Sequence, residues 1–482
     1  MGLIILLDLA AVGWLVAVAY SKGFANALPI AAFLLVIFPV ETRIQLPGLF
    51  DLTTQRVIVL VLCGLYLAIG RNEGNAEMSE PLPLRFLLFG LVAWMLVSSA
   101  ESVVPAISFK STLSQSFDFC TVYFIYARGI RNREVLRMVL GGFVAGVFLC
   151  CIFGVIEIYA DWKVSSLFPV VLGRFTDLDD LNARGSRVQS TFGHAILFGS
   201  ALAMAIPMTL YLLSNVSRSK DKVYLWTALA LMSLCLYKTN SRGAWIGMLL
   251  SLVVLVLLGS DRVRKVIAMV VVLTILVLVA RPGIRDSILS LYGATKDPDS
   301  LQGESYQWRY VLYHIAFQEL ARDTGRSLWG YGPESFYYLG LTTEFSLDGV
   351  MHTVKVESCD SAVVELMMDT GYVGLLLVAA LMGSAAVLGF RRYPSMQERS
   401  ESAYPTLLAG LAAFIFLMTN VELFGWGQQA YMLWIILAMM MKRPDEELQR
   451  IVEVEAESAM AESDGWGTWT IAVRNGVETE WH

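Results

Sequence analysis

The most informative charged residue in this chain is Arg242, because it interrupts a long apolar region. It lies between two apolar runs, about 224–238 and 244–258, and each run nearly spans a bilayer. A charged side chain at such a position costs several kcal/mol unless it is paired or reached by water. Gly243 and Ala244, which follow it, let two helices approach closely. The pattern therefore predicts a site for an anionic group at the mouth of a helical hairpin.

A second group of chemically useful side chains lies in the polar stretch 281–370. Residues 306–320 carry apolar side chains at helical spacing, and this spacing predicts an amphipathic helix that contains Arg309. A turn rich in glycine and aromatic residues follows at 330–336. Next come three side chains that can act as acids or bases, namely His352, Glu357 and Asp360. A helix predicted over 361–371 then leads into a span.

Composition places the chain among membrane proteins. Of its 482 residues 56% are hydrophobic and 16% are charged, which soluble domains rarely combine at this length. Apolar stretches long enough to cross a bilayer recur from end to end, without β-type alternation. They lie near 3–19, 26–40, 57–70, 84–99, 113–127, 135–158, 193–213, 224–239, 243–260, 266–280, 371–390, 404–419 and 428–441. The predicted fold is an all-α, polytopic membrane helical bundle of about 12–13 spans, with an uncleaved first span.

Basic residues in the short connections predict the orientation of the bundle. An even number of spans separates successive basic clusters, so all of them can lie in the cytoplasm. The clusters contain Arg128, Arg131, Arg133, Arg137; Arg218, Lys220, Lys222; Arg262, Arg264, Lys265; Arg391, Arg392; Lys442 and Arg443. Segments 159–192 and 240–243 and the long loop 281–370 are then external. We expect a bundle over 1–443, with the loop 281–370 as its partly helical periplasmic roof, and an acidic cytoplasmic tail over 444–482.

Several common chemistries find no support in the sequence. It contains no Walker loop, no GxGxxG after a strand, no HExxH and no Cys/His spacing typical of a metal site. We expect no cofactor, no metal and no nucleic-acid partner. Asp177, Asp179 and Asp180 form an acidic group that leaves binding of Ca²⁺ or Mg²⁺ open as a minor alternative.

Four segments in order resemble one family. They are 187–194, which begins with Arg187; 239–245, which contains Ser241-Arg242-Gly243; Arg309 followed by 330–336; and 360–374. Together they are similar to the O-antigen ligases and polymerases, integral-membrane glycosyltransferases that use polyprenyl-diphosphate-linked sugars. The resemblance covers about residues 180–390. One departure is clear, because Asp360-Ser361 stands where ligases usually carry a His-Asn pair. This difference favours a polymerase over a ligase.

The resemblance implies an enzyme of the bacterial inner membrane. It would polymerise undecaprenyl-diphosphate-linked oligosaccharide units at the periplasmic face into an exopolysaccharide or O-antigen. A ligase that transfers glycan to lipid A core is the alternative. Implied partners are the lipid-linked oligosaccharide and membrane lipids, with a chain-length regulator and a flippase of the same pathway.

A leaving diphosphate needs fixed cations, and an attacking hydroxyl needs a base. Arg242 and Arg309 are the candidates for diphosphate binding and catalysis, with Arg187 a weaker third, because arginine can hold phosphate oxygens in a bidentate way. The candidate bases are Asp360, His352 and Glu357. We expect substrate contacts from the remaining candidates, which are Glu357, Tyr331 and Glu334.

Other interpretations remain open at this stage. A lipid-linked sugar flippase would also have about twelve spans, although its charges would lie near the midplane rather than on a long external loop. A structural scaffold would give no reason for Arg242. Arg242 could cap the carbonyls of the preceding helix, Arg309 could form an ordinary ion pair, and Asp360 could be a helix N-cap.

Overall fold

The computed structural model describes residues 2–39, 42–44, 51–71, 82–168, 187–296, 300–347, 350–356, 359–392, 402–423 and 427–441. Helices dominate these residues. In chain order they are α1 Gly2–Lys22, α2 Phe24–Ile37, α3 Thr54–Leu65, α4 Arg85–Ala100, α5 Pro105–Gly129, α6 Arg133–Ala160, α7 Ala195–Asn215, α8 Ser219–Lys238, α9 Arg242–Leu258, α10 Asp261–Ala280, α11 Pro282–Lys296, α12 Leu301–Ala321, α13 Thr324–Trp329, α14 Ala362–Arg391, α15 Tyr404–Leu417 and α16 Gly427–Met440. Two short strands, β1 Arg43–Ile44 and β2 Leu52–Thr53, pair antiparallel before α3. A π-helical turn, Tyr66–Gly70, continues α3.

The predicted apolar runs coincide with helices α1 to α10 and α14 to α16. By length and composition, five helices in the described part of the chain can cross a membrane, namely α1, α6, α7, α10 and α14. Five further apolar helical segments are shorter. The predicted all-α membrane bundle is confirmed.

The centre of the bundle is formed by α7 and α16, whose side chains are buried almost throughout. Helix α9 packs between α7 and α15, α2 packs along α6, and α5 packs against α16. In contrast, α10 leaves most of its apolar side chains exposed at the edge of the bundle. Such an apolar exterior is what a bilayer requires.

Hydrogen bonds between connections show which of them share one end of the bundle. The Arg187 side chain donates to the carbonyl of Thr239 (2.8 Å). The Gln428 amide donates to the carbonyls of Val36 (3.2 Å) and Thr191 (3.1 Å). The segments around residues 36, 187–194, 239 and 428 therefore meet at one end, which we call the loop end.

The basic connections lie at the opposite end. Arg131 donates to the carbonyl of Gly70 (3.2 Å), and Arg392 donates to that of Met440 (2.9 Å). The alternation that the basic clusters predicted is thus present in the bundle.

The long loop between α10 and α14 folds over the loop end. It contains α11, α12, α13, a 3-10 turn Ser335–Tyr338, and an antiparallel hairpin of β3 Thr342–Leu347 and β4 Val350–Lys355. A second, smaller core holds it in place, in which Leu312 and Leu320 of α12 pack with Phe336 and with Met367 of α14. The predicted helix over 306–320 is confirmed as part of α12, whereas the hairpin was not predicted.

Helix α14 breaks at Gly371, where the predicted loop helix becomes the span. Gly371 has φ 66°, and a Cβ there would lie 2.2 Å from the carbonyl oxygen of Leu328. The break frees carbonyls that other elements use, because the N–H of Tyr331 donates to Met368 (2.7 Å) and the indole of Trp94 donates to Thr370 (2.9 Å). The loop is thereby fastened to α14 and α4.

Candidate functional site

The short connection 418–422, between α15 and α16, is where the predicted site elements converge. The first N–H groups of α14, at Ala362 and Val363, donate to the carbonyls of Val421 (3.1 Å) and Met418 (3.3 Å). These donors are among those that a helix start leaves without intrahelical partners. The start of α14 is therefore fixed to the 418–422 connection by its own backbone.

Arg309 reaches the same connection from α12. Its Nε donates to the carbonyl of Asn420 (3.3 Å), and its Nη1 donates to the carbonyl of Ser305 (3.4 Å). The guanidinium is half-buried. Because backbone carbonyls orient the side chain, its charge is held at a defined place in the loop end.

Arg242 approaches the connection from the other side. It is the first residue of α9, whose N-cap Ser241 accepts from the N–H of Ala244 (3.4 Å). A Cβ built on Gly243 would lie 3.2 Å from Cγ of Asn420, so α9 begins in contact with this asparagine. A helix N-terminus favours anions, and here that effect adds to the charge of the arginine.

The carbonyls at the end of α8 are bound by other side chains. The Trp245 indole donates to the carbonyl of Leu236 (2.8 Å), and Arg187 donates to that of Thr239. Arg187 therefore fastens its segment to the α8–α9 hairpin.

The N-cap of α14 is Ser361 and not Asp360. The Ser361 hydroxyl accepts from the N–H of Val364 (3.4 Å) and shares a hydrogen bond with the phenol of Tyr313 (3.0 Å). Burial raises the pKa of Tyr313, so the phenol stays protonated at neutral pH. Asp360 is half-buried and lies one residue before the cap, outside the helix. Its carboxylate is thus not needed for capping.

Carboxyl groups gather beside the connection. Glu365 and Asp369 lie one turn apart on α14, and each has one buried carboxyl oxygen. Glu365 is within hydrogen-bonding reach of Glu422, and Glu334 interacts electrostatically with both α14 carboxyls. The Tyr337 phenol donates to Glu422 (3.3 Å); burial and the charges of Glu422 and Glu365 raise its pKa, so it remains a donor.

Three of the other predicted residues have described positions outside the 418–422 connection. Tyr331 packs in the second core, and its hydroxyl donates to the carbonyl of Glu319 (3.3 Å). Glu334 accepts from the hydroxyl of Ser111 on α5 (3.2 Å). His352 lies on β4 opposite Phe345. Glu357 lies outside the described residues, as do the acidic residues at 177–180.

Sequence reasoning missed the 418–422 connection. A usable signal was present, because Thr419, Asn420 and Glu422 form a polar interruption between two apolar runs. Glu365 and Asp369 were expected to face solvent or a neighbouring helix. The contact of the 418–422 connection with α9, α12 and α14 depends on residues more than fifty positions apart, which local pattern does not reveal.

Comparison with known protein families gives a match that covers part of the chain. Residues 227–379 match the family model described as O-antigen ligase. The matched region begins in α8 and ends in the span of α14, so it includes Arg242, Arg309 and Asp360. A search of curated proteins found no match to the chain. The family resemblance predicted from the motifs is confirmed.

Proposed function

We propose, from the match of residues 227–379 to the O-antigen ligase model and from the motifs that resemble the ligases and polymerases, that this chain polymerises oligosaccharide units linked to a polyprenyl diphosphate. The reaction would take place at the periplasmic face of the bacterial inner membrane. The product would be an exopolysaccharide or O-antigen chain.

The observation that carries the proposal is that Arg309 and the first turn of α9, which begins with Arg242, both contact Asn420. Arg309 binds the carbonyl of Asn420, and the residue after Arg242 contacts the side chain of the same asparagine. The two arginines are 67 positions apart in the sequence, and the connection that both Arg309 and the first turn of α9 contact is also hydrogen-bonded to the start of α14. Fixed cations around a site for an anion are what a diphosphate leaving group requires.

The proposed step is a glycosyl transfer. An acceptor sugar hydroxyl attacks the anomeric carbon of the lipid-linked donor, and a new C–O bond forms. The bond between that carbon and the diphosphate oxygen breaks, and the electron pair leaves with the polyprenyl diphosphate. Arg242 and Arg309 stabilise the negative charge that develops on this oxygen, while the hydroxyl proton passes to a base.

Asp360 is the base that the geometry favours. It directly precedes Ser361, whose hydroxyl donates to the carbonyl of Met418 (3.3 Å), so its backbone adjoins the 418–422 connection. His352 lies on a hairpin strand, eight residues earlier. Asp360-Ser361 also replaces the His-Asn pair usual in ligases, and this replacement supports a polymerase. A ligase that transfers glycan to lipid A core is the second candidate, which the description of the matching family favours.

The test is complementation of a host that lacks this gene, at matched membrane levels of each variant. Arg242→Ala and Arg309→Ala should each lower polymer formation by about 100-fold or more, as expected for loss of a group that stabilises transition-state charge. Arg242→Lys should be nearly as defective, because lysine cannot hold phosphate in a bidentate way. Arg264→Ala is the matched control, an exposed arginine of α10 paired with Asp261 (3.1 Å).

Gel profiles of lipid-linked and released glycan distinguish the candidates. Single repeat units left at the periplasmic face support the polymerase. Long polymer that stays on its lipid carrier supports the ligase. Units that accumulate only at the cytoplasmic face would indicate a flippase, and normal polymer from Arg242→Ala would contradict the proposed diphosphate site.

A further inference from the structure

A polar cavity opens at the loop end on the side of α3, α5 and α16. Its volume is about 300 Å³, and its walls include Thr53, Gln55 and Gln115, the ring of Phe119 and the phenol of Tyr431. Glu334 of the long loop also lines it, so the cavity adjoins the proposed site. None of the predicted diphosphate-binding arginines is among its lining residues.

Three cationic side chains line the cavity, and two of them are held in ion pairs, Lys110 being the third. Arg43 pairs with Asp51 (2.9 Å), and Arg56 pairs with Asp118 (3.0 Å). Arg56 also donates to the backbone carbonyl of Asp51 (2.6 Å). These contacts fix the wall between α3 and α5 and balance its charge. The whole lining contains three basic and three acidic side chains, so it carries no formal net charge, and this balance favours a neutral polar ligand over an anion.

One wall residue has hydrogen-bonding capacity that the described protein does not use. Ser114 is 6% exposed and lines the cavity, and its hydroxyl has no hydrogen-bond partner among the described residues. A buried hydroxyl left without a partner costs free energy, and because Ser114 also lines the cavity, a polar ligand bound there could supply the missing hydrogen bond. The amide of Gln115, beside it, donates to the hydroxyl of Ser111 (3.1 Å), which leaves the amide oxygen as an acceptor.

We infer that this cavity binds a neutral pyranose ring of the lipid-linked glycan. A sugar ring carries several hydroxyls, each both a donor and an acceptor, and the lining offers hydroxyl, amide and carboxylate partners together with an aromatic ring. The volume is at the lower end of the roughly 300–1,000 Å³ common for small-molecule sites.

This inference rests on the proposed function, and it adds a position for the glycan. Glu334 lines the cavity and interacts electrostatically with Glu365, which is within hydrogen-bonding reach of Glu422 in the 418–422 connection. The cavity and the arginine site are thereby linked along one end of the bundle. A glycan whose reacting sugar lies at the 418–422 connection can place another of its sugar rings in the cavity.

Binding is tested on the full-length protein in lipid nanodiscs by saturation-transfer NMR. The probes are the methyl glycosides of glucose, galactose and mannose, with methyl glucuronoside as the anionic comparison. At least one neutral glycoside should bind. Ser114→Gln, which fills the cavity, should weaken that binding by about tenfold or more, and Ser114→Ala by about two- to tenfold, as expected for one lost hydrogen bond.

Ser116→Ala is the matched control. Ser116 is a buried serine on the same helix, its hydroxyl also lacks a hydrogen-bond partner among the described residues, and it is not in the cavity lining. It should bind the glycoside as the unmodified protein does. Equal binding by Ser114→Gln and the unmodified protein, preference for the glucuronoside, or no binding of any neutral glycoside would overturn the inference.

A polymerisation assay on the same preparations separates this inference from the proposed function. If the unmodified protein forms polymer and Ser114→Gln forms it with the same length and rate, the cavity assignment fails and the proposed function stands. If Arg242→Ala forms normal polymer while glycoside binding depends on Ser114, the assignment of Arg242 to the diphosphate site is wrong and the assignment of the cavity as a sugar site is retained.

Discussion

At the scale of single residues, the three arginines that the sequence suggests for diphosphate binding have different structural roles. The Nε of Arg187 donates a hydrogen bond to the carbonyl of Thr239 and so stabilises the α8–α9 hairpin. Arg309 is oriented by the carbonyls of Ser305 and Asn420. Arg242 starts α9, where the helix N-terminus favours an anion. The last two are the better candidates for diphosphate binding, because Arg309 binds the 418–422 connection and Arg242 lies in the helix turn that contacts it.

The proposed base gives a prediction at this scale. Asp360→Asn keeps the shape of the side chain and removes its basicity, so glycan transfer should fall by about 10²- to 10⁴-fold. His352→Ala is the comparison variant and should retain most of the activity. Initial rates with lipid-linked substrate, measured at equal protein levels, provide the test. The reverse order of defects would assign the base to His352.

At the scale of elements, the break in α14 determines how the long loop meets the bundle. The carbonyls of Met368, Asp369 and Thr370 are free to accept bonds from the loop and from α4 because Gly371 leaves the helical conformation. The same break separates the helix turn that carries Glu365 and Asp369 from the span below. A continuous helix would use these carbonyls internally and would release the loop.

This arrangement predicts a strong effect of a methyl group at the break. In Gly371→Ala the new Cβ would lie 2.2 Å from the Leu328 carbonyl, at a φ of 66°. The variant should therefore lose about 1–3 kcal/mol of stability from backbone strain alone, and more from the clash. Thermal unfolding in detergent measures the loss. Gly383→Ala is the matched control on the same helix, because nothing lies within 4 Å of its Cβ; an equal loss there would contradict the argument.

At the scale of the whole molecule, the two ends of the bundle differ in content. The loop end carries the 418–422 connection, the long loop and the polar cavity. The opposite end carries basic connections such as that of Arg131, which binds the carbonyl of Gly70. Basic connections favour the cytoplasm, so the loop end is the proposed periplasmic face.

Cysteine labelling tests this orientation. Tyr338→Cys, 56% exposed at the loop end, should react with a membrane-impermeant maleimide in spheroplasts. Lys220→Cys, exposed in α8 at the opposite end, should react only after the membrane is permeabilised. The parent protein gives the background from its native cysteines. Labelling of Lys220→Cys alone in sealed spheroplasts would reverse the proposed orientation.

The sequence by itself determined the membrane class, the positions of the apolar helices and the order of the family motifs. Hydrophobic length and local spacing encode these properties within windows of about twenty residues. It also identified Arg242 and Arg309 as unusual, because a guanidinium near apolar runs needs a compensating environment.

Only the tertiary structure decided which of these residues meet. Three features depend on contacts between distant segments: the role of Asn420 and Glu422, the bonds of Ser361 to Tyr313 and Met418, and the cavity between α3, α5 and α16. Such contacts arise from the packing of whole helices. Polar residues with the same local sequence pattern can face lipid, the protein core or a cavity, depending on that packing. For this reason local sequence pattern identifies the residues that can do chemistry, whereas only the fold shows which of them lie together in one site.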